Sequence, residues 1–200
     1  MRHDFTLAEL GEGARKKQFP LSQLPVLEIL QGETRSYVSQ SGTIMRYLAT
    51  KLKLTPEDPL EAAQQDSIFE LSQEFAKVNP YVNLYSAADL PAFLEKGAGN
   101  GSGYPIKPQL HAASVILGEK PFFGKETPAY ADFNMWHYLD NIDTLVPGIL
   151  DDFPNLKEYM VRLARLDGVK QYLQERPQLG DPNLGKDGAP IRDASKIKEW

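Results

Sequence analysis

Cysteine is absent from the 200 residues. Disulfides, thiolate metal sites and a cysteine nucleophile supplied by this chain are therefore excluded. Histidine is scarce as well. His3, His111 and His137 lie far apart, and none pairs at i, i+4 with another ligand type in a recognised spacing, so no metal is expected. No stretch approaches the roughly 18 apolar residues of a membrane span, and the amino-terminal stretch holds no signal-peptide core. A basic excess is missing too. Lys plus Arg is 22 against 27 Asp plus Glu, a net charge of −5, which argues against a nucleic-acid partner. No Gly-x-Ser-x-Gly elbow occurs, so the serine-hydrolase reading fails. These absences leave a soluble, cytoplasmic protein with neither nucleic acid nor membrane as its partner.

The rest of the composition is ordinary. Hydrophobic residues make up 42% and charged residues 24%, enough to bury a real core. Charge is spread unevenly: residues 1–55 carry eight basic and five acidic side chains, net +3, and residues 56–200 carry 14 and 22, net −8. Such a split fits two units of different character, or two solvated surfaces that differ by chance.

The first unit reads as mixed α/β. His3 to Leu7 is a weak strand candidate. Leu24 to Ile29 is a better one, Leu30-Gln31-Gly32-Glu33 has turn chemistry, and Thr34 to Val38 completes a hairpin. Ser41 is placed to cap a helix over Thr43 to Leu52, whose Ile44, Leu48 and Leu52 recur every four residues. Beyond residue 54 the pattern is helical. Thr55-Pro56-Glu57-Asp58 has the chemistry of a helix start, with Leu60, Ser67, Ile68, Leu71, Phe75 and Val78 along one side and a stop at Asn79-Pro80. Further helices are expected from Pro108 to Leu117, Tyr130 to Leu145, Phe153 to Leu166 and Val169 to Arg176. The alternating glycines of 97–103 lack a preceding strand, so they read as a connector and not as a phosphate loop. Pro177 to Trp200, with three Gly, three Pro and eight charged residues, reads as an extended or disordered tail.

One constellation carries chemistry. In Gln23-Leu24-Pro25-Val26 a proline enters a strand, where it makes no ladder bond and can follow a cis peptide. Leu24 would then offer its N–H and C=O to a bound peptide-like ligand, as a sheet edge does. Further along, Gln40-Ser41 opens a helix whose free N–H groups suit a carboxylate. Lys16 and Lys17 stand upstream as a second anion contact. Together these elements describe a slot for a short acidic peptide. Singly, they read as an edge strand, an ordinary cap and a solvated turn.

The order Ser22-Gln23-Leu24-Pro25-Val26-Leu27-Glu28, then Gln40-Ser41, then Ile44 to Leu48, resembles the cytosolic glutathione S-transferases, most of all their sigma-like branch. The resemblance covers roughly residues 3–176. It implies a thioredoxin-like α/β domain, here incomplete, over residues 1–54, an all-helical domain over 55–176, and a tail over 177–200. It implies that Leu24, before a cis Pro25, pairs with the cysteinyl backbone of glutathione, that Gln40 and Ser41 hold its γ-glutamyl end, that Gln23 belongs to the same site, and that Lys16 meets the glycyl carboxylate. It also implies a homodimer, with Glu74 of the long helix reaching the glutathione of the other subunit. Tyr130-Ala131-Asp132 resembles the family's buried capping motif, although Ala129 stands where a Ser or Thr is usual, with Thr127 as a substitute cap in a shifted register.

The family's first strand and helix, which carry the catalytic Tyr, Ser or Cys, have no counterpart in this sequence, so the catalytic residue is unknown. The missing strand is central in the family's sheet, and its loss would expose an edge. The implied chemistry is attack of the glutathione thiolate on a hydrophobic electrophile, with glutathione as co-substrate and no metal. Tyr81, Tyr85 and Tyr104 are candidates for the electrophile pocket, and Ser22, then Tyr37, for a substitute thiol activator. The alternatives are a non-catalytic scaffold or complex subunit of the same fold, and a truncated form of an active enzyme.

Overall fold

A computed structural model of the chain describes residues 17, 19–78, 106–145 and 147–175. The expected strand at His3–Leu7, Lys16, the glycine-rich 97–103, Tyr81, Tyr85, Tyr104 and the tail 177–200 lie outside the described residues. By internal contacts the chain divides into residues 1–55 and 56–200.

In the first unit a short 3-10 turn, Pro20–Ser22, leads into strand β1, Val26–Gln31, and strand β2, Thr34–Ser39. The strands pair antiparallel in a two-stranded sheet, in register from Val26↔Ser39 to Gln31↔Thr34. The hairpin expected from the sequence is there, with shifted ends. β1 starts at Val26 and not at Leu24, because Pro25 has no N–H for the ladder. It runs on to Gln31, so only Gly32 and Glu33 remain to turn the chain. Gly32 has φ +61°, a left-handed angle that costs glycine nothing. Helix α1, Ser41–Lys51, packs on both strands and buries Ala49.

The second unit is helical. Helix α2 is Pro59–Val78, three residues later than Thr55-Pro56 suggested. Asp58 Oδ1 accepts the Glu61 N–H at 2.9 Å, so Asp58-Pro59 supplies the cap and the first-turn proline. The inward face also differs. Gln65, Ile68, Phe69, Ser72 and Phe75 are buried, whereas Leu60 is 67% exposed and Ser67 is exposed. Helix α3, Ile106–Leu117, begins two residues before Pro108, which sits in the first turn where no N–H is needed. It buries Leu110, Ala113 and Leu117, and ends at Gly118 with φ +58°.

Helix α4, Tyr130–Leu145, is the central element: Ala131, Met135, Leu139 and Ile142 are fully buried. Helix α5, Pro154–Ala164, turns the stripe Leu156, Tyr159, Met160 and Leu163 inward, with Leu166 half-buried just beyond it. Helix α6, Asp167–Glu175, buries nothing. α2 packs on α3 and α4, α5 packs on α3, α4 and α6, and polar pairs tie α2 to α4. The Tyr130 hydroxyl donates to Asp66 and the Asn134 amide to the Ser72 hydroxyl. Among the described residues no helix is long and apolar enough to cross a membrane, and no group of three or more His, Cys, Asp or Glu could hold a metal ion.

Candidate functional site

The hairpin register brings the two halves of the predicted slot together. Because Val26 pairs with Ser39, the segment before β1 and the segment after β2 lie at one end of the sheet. The first carries Gln23, Leu24 and Pro25, and its Leu24–Pro25 peptide is cis. The second carries Gln40 and Ser41. Gln40 Nε2 donates to Gln23 Oε1 at 2.9 Å, across 17 residues of chain.

Ser41 is not the cap of α1, as its residue type suggested. It is the first helical residue, and Gln40 occupies the cap position with φ 75° and ψ 123°. No side chain caps the helix, and its first bond runs from the Ile44 N–H to the Gln40 carbonyl at 2.9 Å. The N–H groups of Ser41, Gly42 and Thr43 thus form the positive end of the helix dipole beside the two carboxamides. Leu24, Gln23, Gln40 and Ser41 are all exposed, so a ligand can reach them.

The hairpin itself carries a group that sequence reasoning missed. Glu28 Oε1 accepts from Arg35 Nη1 at 3.0 Å and from the Tyr37 hydroxyl at 3.2 Å, and the Tyr37 ring meets Phe19 edge-on at 5.7 Å. The signal was the cross-strand pair Glu28↔Tyr37, which needed the exact register. The Tyr37 proton is therefore committed to Glu28. Ser22 lies exposed in the 3-10 turn, its N–H donated to the Phe19 carbonyl at 3.1 Å.

In the helical unit, Glu74 is half-buried on α2. A cleft of 330 Å³ opens in this unit between Gln64, Ile68, Ile116 and Phe123, with the Lys125–Glu61 ion pair at its rim, and none of the slot residues lines it.

The capping motif is built around a buried carboxylate. Asp132 Oδ1 accepts the Phe123 N–H at 2.8 Å, and Oδ2 accepts those of Gly124 and Ala129 at 2.9 Å each. The cap stays in register on Ala129 and is not shifted to Thr127. Burial pushes the Asp132 carboxyl up to about 6, against the pull of these three N–H groups and of Lys120. The Tyr159 hydroxyl donates to the Asp132 carbonyl at 2.6 Å, and burial first, then the Asp132 charge, raise its own pKa well above the ordinary value. Gly124 is required here, since a Cβ on it would stand 2.3 Å from the Thr127 carbonyl oxygen and 2.6 Å from the Ala129 nitrogen.

Comparison with known proteins agrees with this architecture. The family described as "Glutathione S-transferase, C-terminal domain" matches residues 106–176. Glutathione S-transferase Mu 2 of Mus musculus is 31% identical over 149 residues, 74% of this chain and 65% of its own length, so the chain spans about two thirds of that relative. The structure of the Onchocerca volvulus Pi-class glutathione S-transferase superposes with a TM-score of 0.76 at 24% identity, covering 94% of this chain and 86% of that one. The fold is accordingly a thioredoxin-like amino-terminal unit followed by a helical carboxy-terminal one. Glutathione S-transferase 1 of Ascaris suum is 30% identical over 169 residues, 82% of this chain and 79% of its own. Sequence likeness sustained over that share of both proteins, on a shared fold, means that the chain belongs to the glutathione S-transferase family.

Proposed function

We propose that the slot at the end of the hairpin binds glutathione, and that the chain serves the conjugation of the glutathione thiol to a hydrophobic electrophile. The observation that carries this reading is the meeting of Gln23-Leu24-Pro25 with the uncapped start of α1 at Gln40-Ser41. Leu24 pairs through its backbone with the cysteinyl unit, in the manner of an added strand. Gln40, Ser41 and the helix N–H groups hold the γ-glutamyl carboxylate. Lys16 takes the glycyl carboxylate, and Gln23 completes the site. Glutathione is a co-substrate in this scheme, and no metal takes part.

The chain works as a homodimer in which Glu74 approaches the glutathione of the other subunit, in the cytoplasm, in detoxification. The motif order favours the sigma-like branch. The relatives named above are described as glutathione S-transferases, which favours this reading over a non-catalytic scaffold.

Neither Ser41 nor Tyr37 is placed to activate the thiol. At a cysteine-like pKa of about 8.5, a thiol is only a few per cent thiolate near neutral pH. Activation needs a donor fixed about 3 Å from sulfur. Ser41 is engaged with the γ-glutamyl end, and the Tyr37 proton is held by Glu28.

Calorimetry with glutathione and with cysteinylglycine, which lacks the γ-glutamyl group, tests the reading. Glutathione is expected to bind and cysteinylglycine to bind more weakly. Equal affinities would remove Gln40 and Ser41 from the site.

A further inference from the structure

The cleft in the helical unit has a polar floor that the fold itself leaves unsatisfied. Gln65 of α2 lines it and is only 5% exposed. Its Nε2 donates to the Phe123 carbonyl at 2.7 Å, which holds the carboxamide against the loop after α3. Its Oε1 is buried and has no donor. A buried acceptor without a partner is costly, and native folds keep few of them. The walls are of two kinds. Ile68, Ile116 and Phe123 form an apolar side, on which Ile116 is 40% exposed. The charged residues that line the cleft are Glu61, Lys120 and Lys125, a net positive set. Glu61 and Lys125 pair with each other. The Lys120 ammonium makes no ion pair among the described residues and acts only at a distance, on Asp132. Lys120, Gln64 and the ion pair lie at the surface, where side chains change rotamer in picoseconds to nanoseconds. They can give way to an entering ligand while Gln65 stays fixed.

We propose that this cleft is a second binding site, for a small organic acid that also carries a hydrogen-bond donor. The apolar body of the acid lies between Ile68, Ile116 and Phe123. Its carboxylate meets Lys120, and its hydroxyl or N–H donates to Gln65 Oε1. A volume of 330 Å³ is at the low end for small-molecule pockets and suits about a dozen heavy atoms. The cleft shares no residue with the slot read as the glutathione site, so the two proposals stand or fall separately.

The probe is 3-(4-hydroxyphenyl)propionate, which has an apolar ring, a carboxylate and a hydroxyl donor. Titration of the full chain is followed through the Gln65 side-chain amide and the Ile68 and Ile116 methyl groups. These signals are expected to move together and saturate, with a Kd of about 1 mM. 3-Phenylpropionate lacks the hydroxyl, and 3-(4-hydroxyphenyl)propionamide lacks the charge. Each is expected to bind about threefold more weakly. Ile116→Asp sets a negative charge on the exposed rim and is expected to cost about tenfold. Saturating glutathione is expected to leave the binding curve unchanged. Equal affinity for the three compounds overturns the proposal, as does unchanged binding in Ile116→Asp or no saturation by about 20 mM. A probe displaced by glutathione occupies the slot instead, and the proposal fails. Sedimentation with the probe present checks the remaining occupant: if the probe splits a dimer, the cleft is a contact between copies of the chain and the proposal is overturned.

Discussion

Replacing Asp132 by alanine would strip three backbone N–H groups of their acceptor at once. Those of Phe123 and Ala129 belong to residues that are 2% and 5% exposed, so water cannot replace the carboxylate there. The Gly124 N–H is only part-buried and can find water. At about 1–3 kcal/mol for each buried donor left unpaired, the change costs about 3–5 kcal/mol, a large share of the 5–15 kcal/mol of a typical fold. Asp132→Asn preserves the volume and one acceptor but turns an NH2 group toward an N–H, and loses about 1–3 kcal/mol.

The pH dependence of Asp132 has a definite sign. Its carboxyl titrates near 6 in the fold against 3.8 in the open chain, so between these values the folded state holds a proton that the unfolded state has released. Its contribution to stability therefore rises as pH falls through 6 and is lost as pH rises through that value. From pH 7 to pH 5 the gain is about 1 kcal/mol, and Asp132→Asn lacks it. Urea unfolding of the parent and both variants, at pH 5 and pH 7, measures every quantity. A loss below about 1 kcal/mol for Asp132→Ala would refute the role of the carboxylate as the shared acceptor. Parallel pH profiles for parent and Asp132→Asn would refute the raised pKa.

Gly124→Ala is expected to lower the melting temperature, because the new methyl meets backbone atoms at 2.3 and 2.6 Å and the loop must move off Asp132; an unchanged melt would show that the loop yields freely. Sedimentation at micromolar concentration is expected to give twice the 22.4 kDa of the chain, and a monomer would reject the dimer.

The sequence shows the hairpin clearly, since β-branched and aliphatic residues flank a Gly-Glu turn. It misplaces the strand start because hydropathy does not register that Pro25 has no ladder N–H. The start of α2 goes wrong for a related reason: Thr55-Pro56 and Asp58-Pro59 are equivalent cap chemistry, and only the Asp58 bond to Glu61 separates them. The apolar stripe of α2 misleads because part of its buried face is polar. Gln65 donates to the Phe123 carbonyl at 2.7 Å and Ser72 to the Phe69 carbonyl at 2.6 Å, so hydrophobicity alone rotates the face toward Leu60, about 140° away from Gln65. In the slot, the residues of both halves were legible as motifs. Their contact through Gln23 and Gln40 was not, because it depends on the register that sets Val26 opposite Ser39.

The most direct test of the glutathione slot follows the backbone amides of the isotope-labelled chain while glutathione is added. The resonances of Leu24, Ser41, Gly42 and Thr43 are expected to move together with one binding curve, ahead of amides elsewhere in the chain. Saturable binding that leaves these four amides in place would contradict the account.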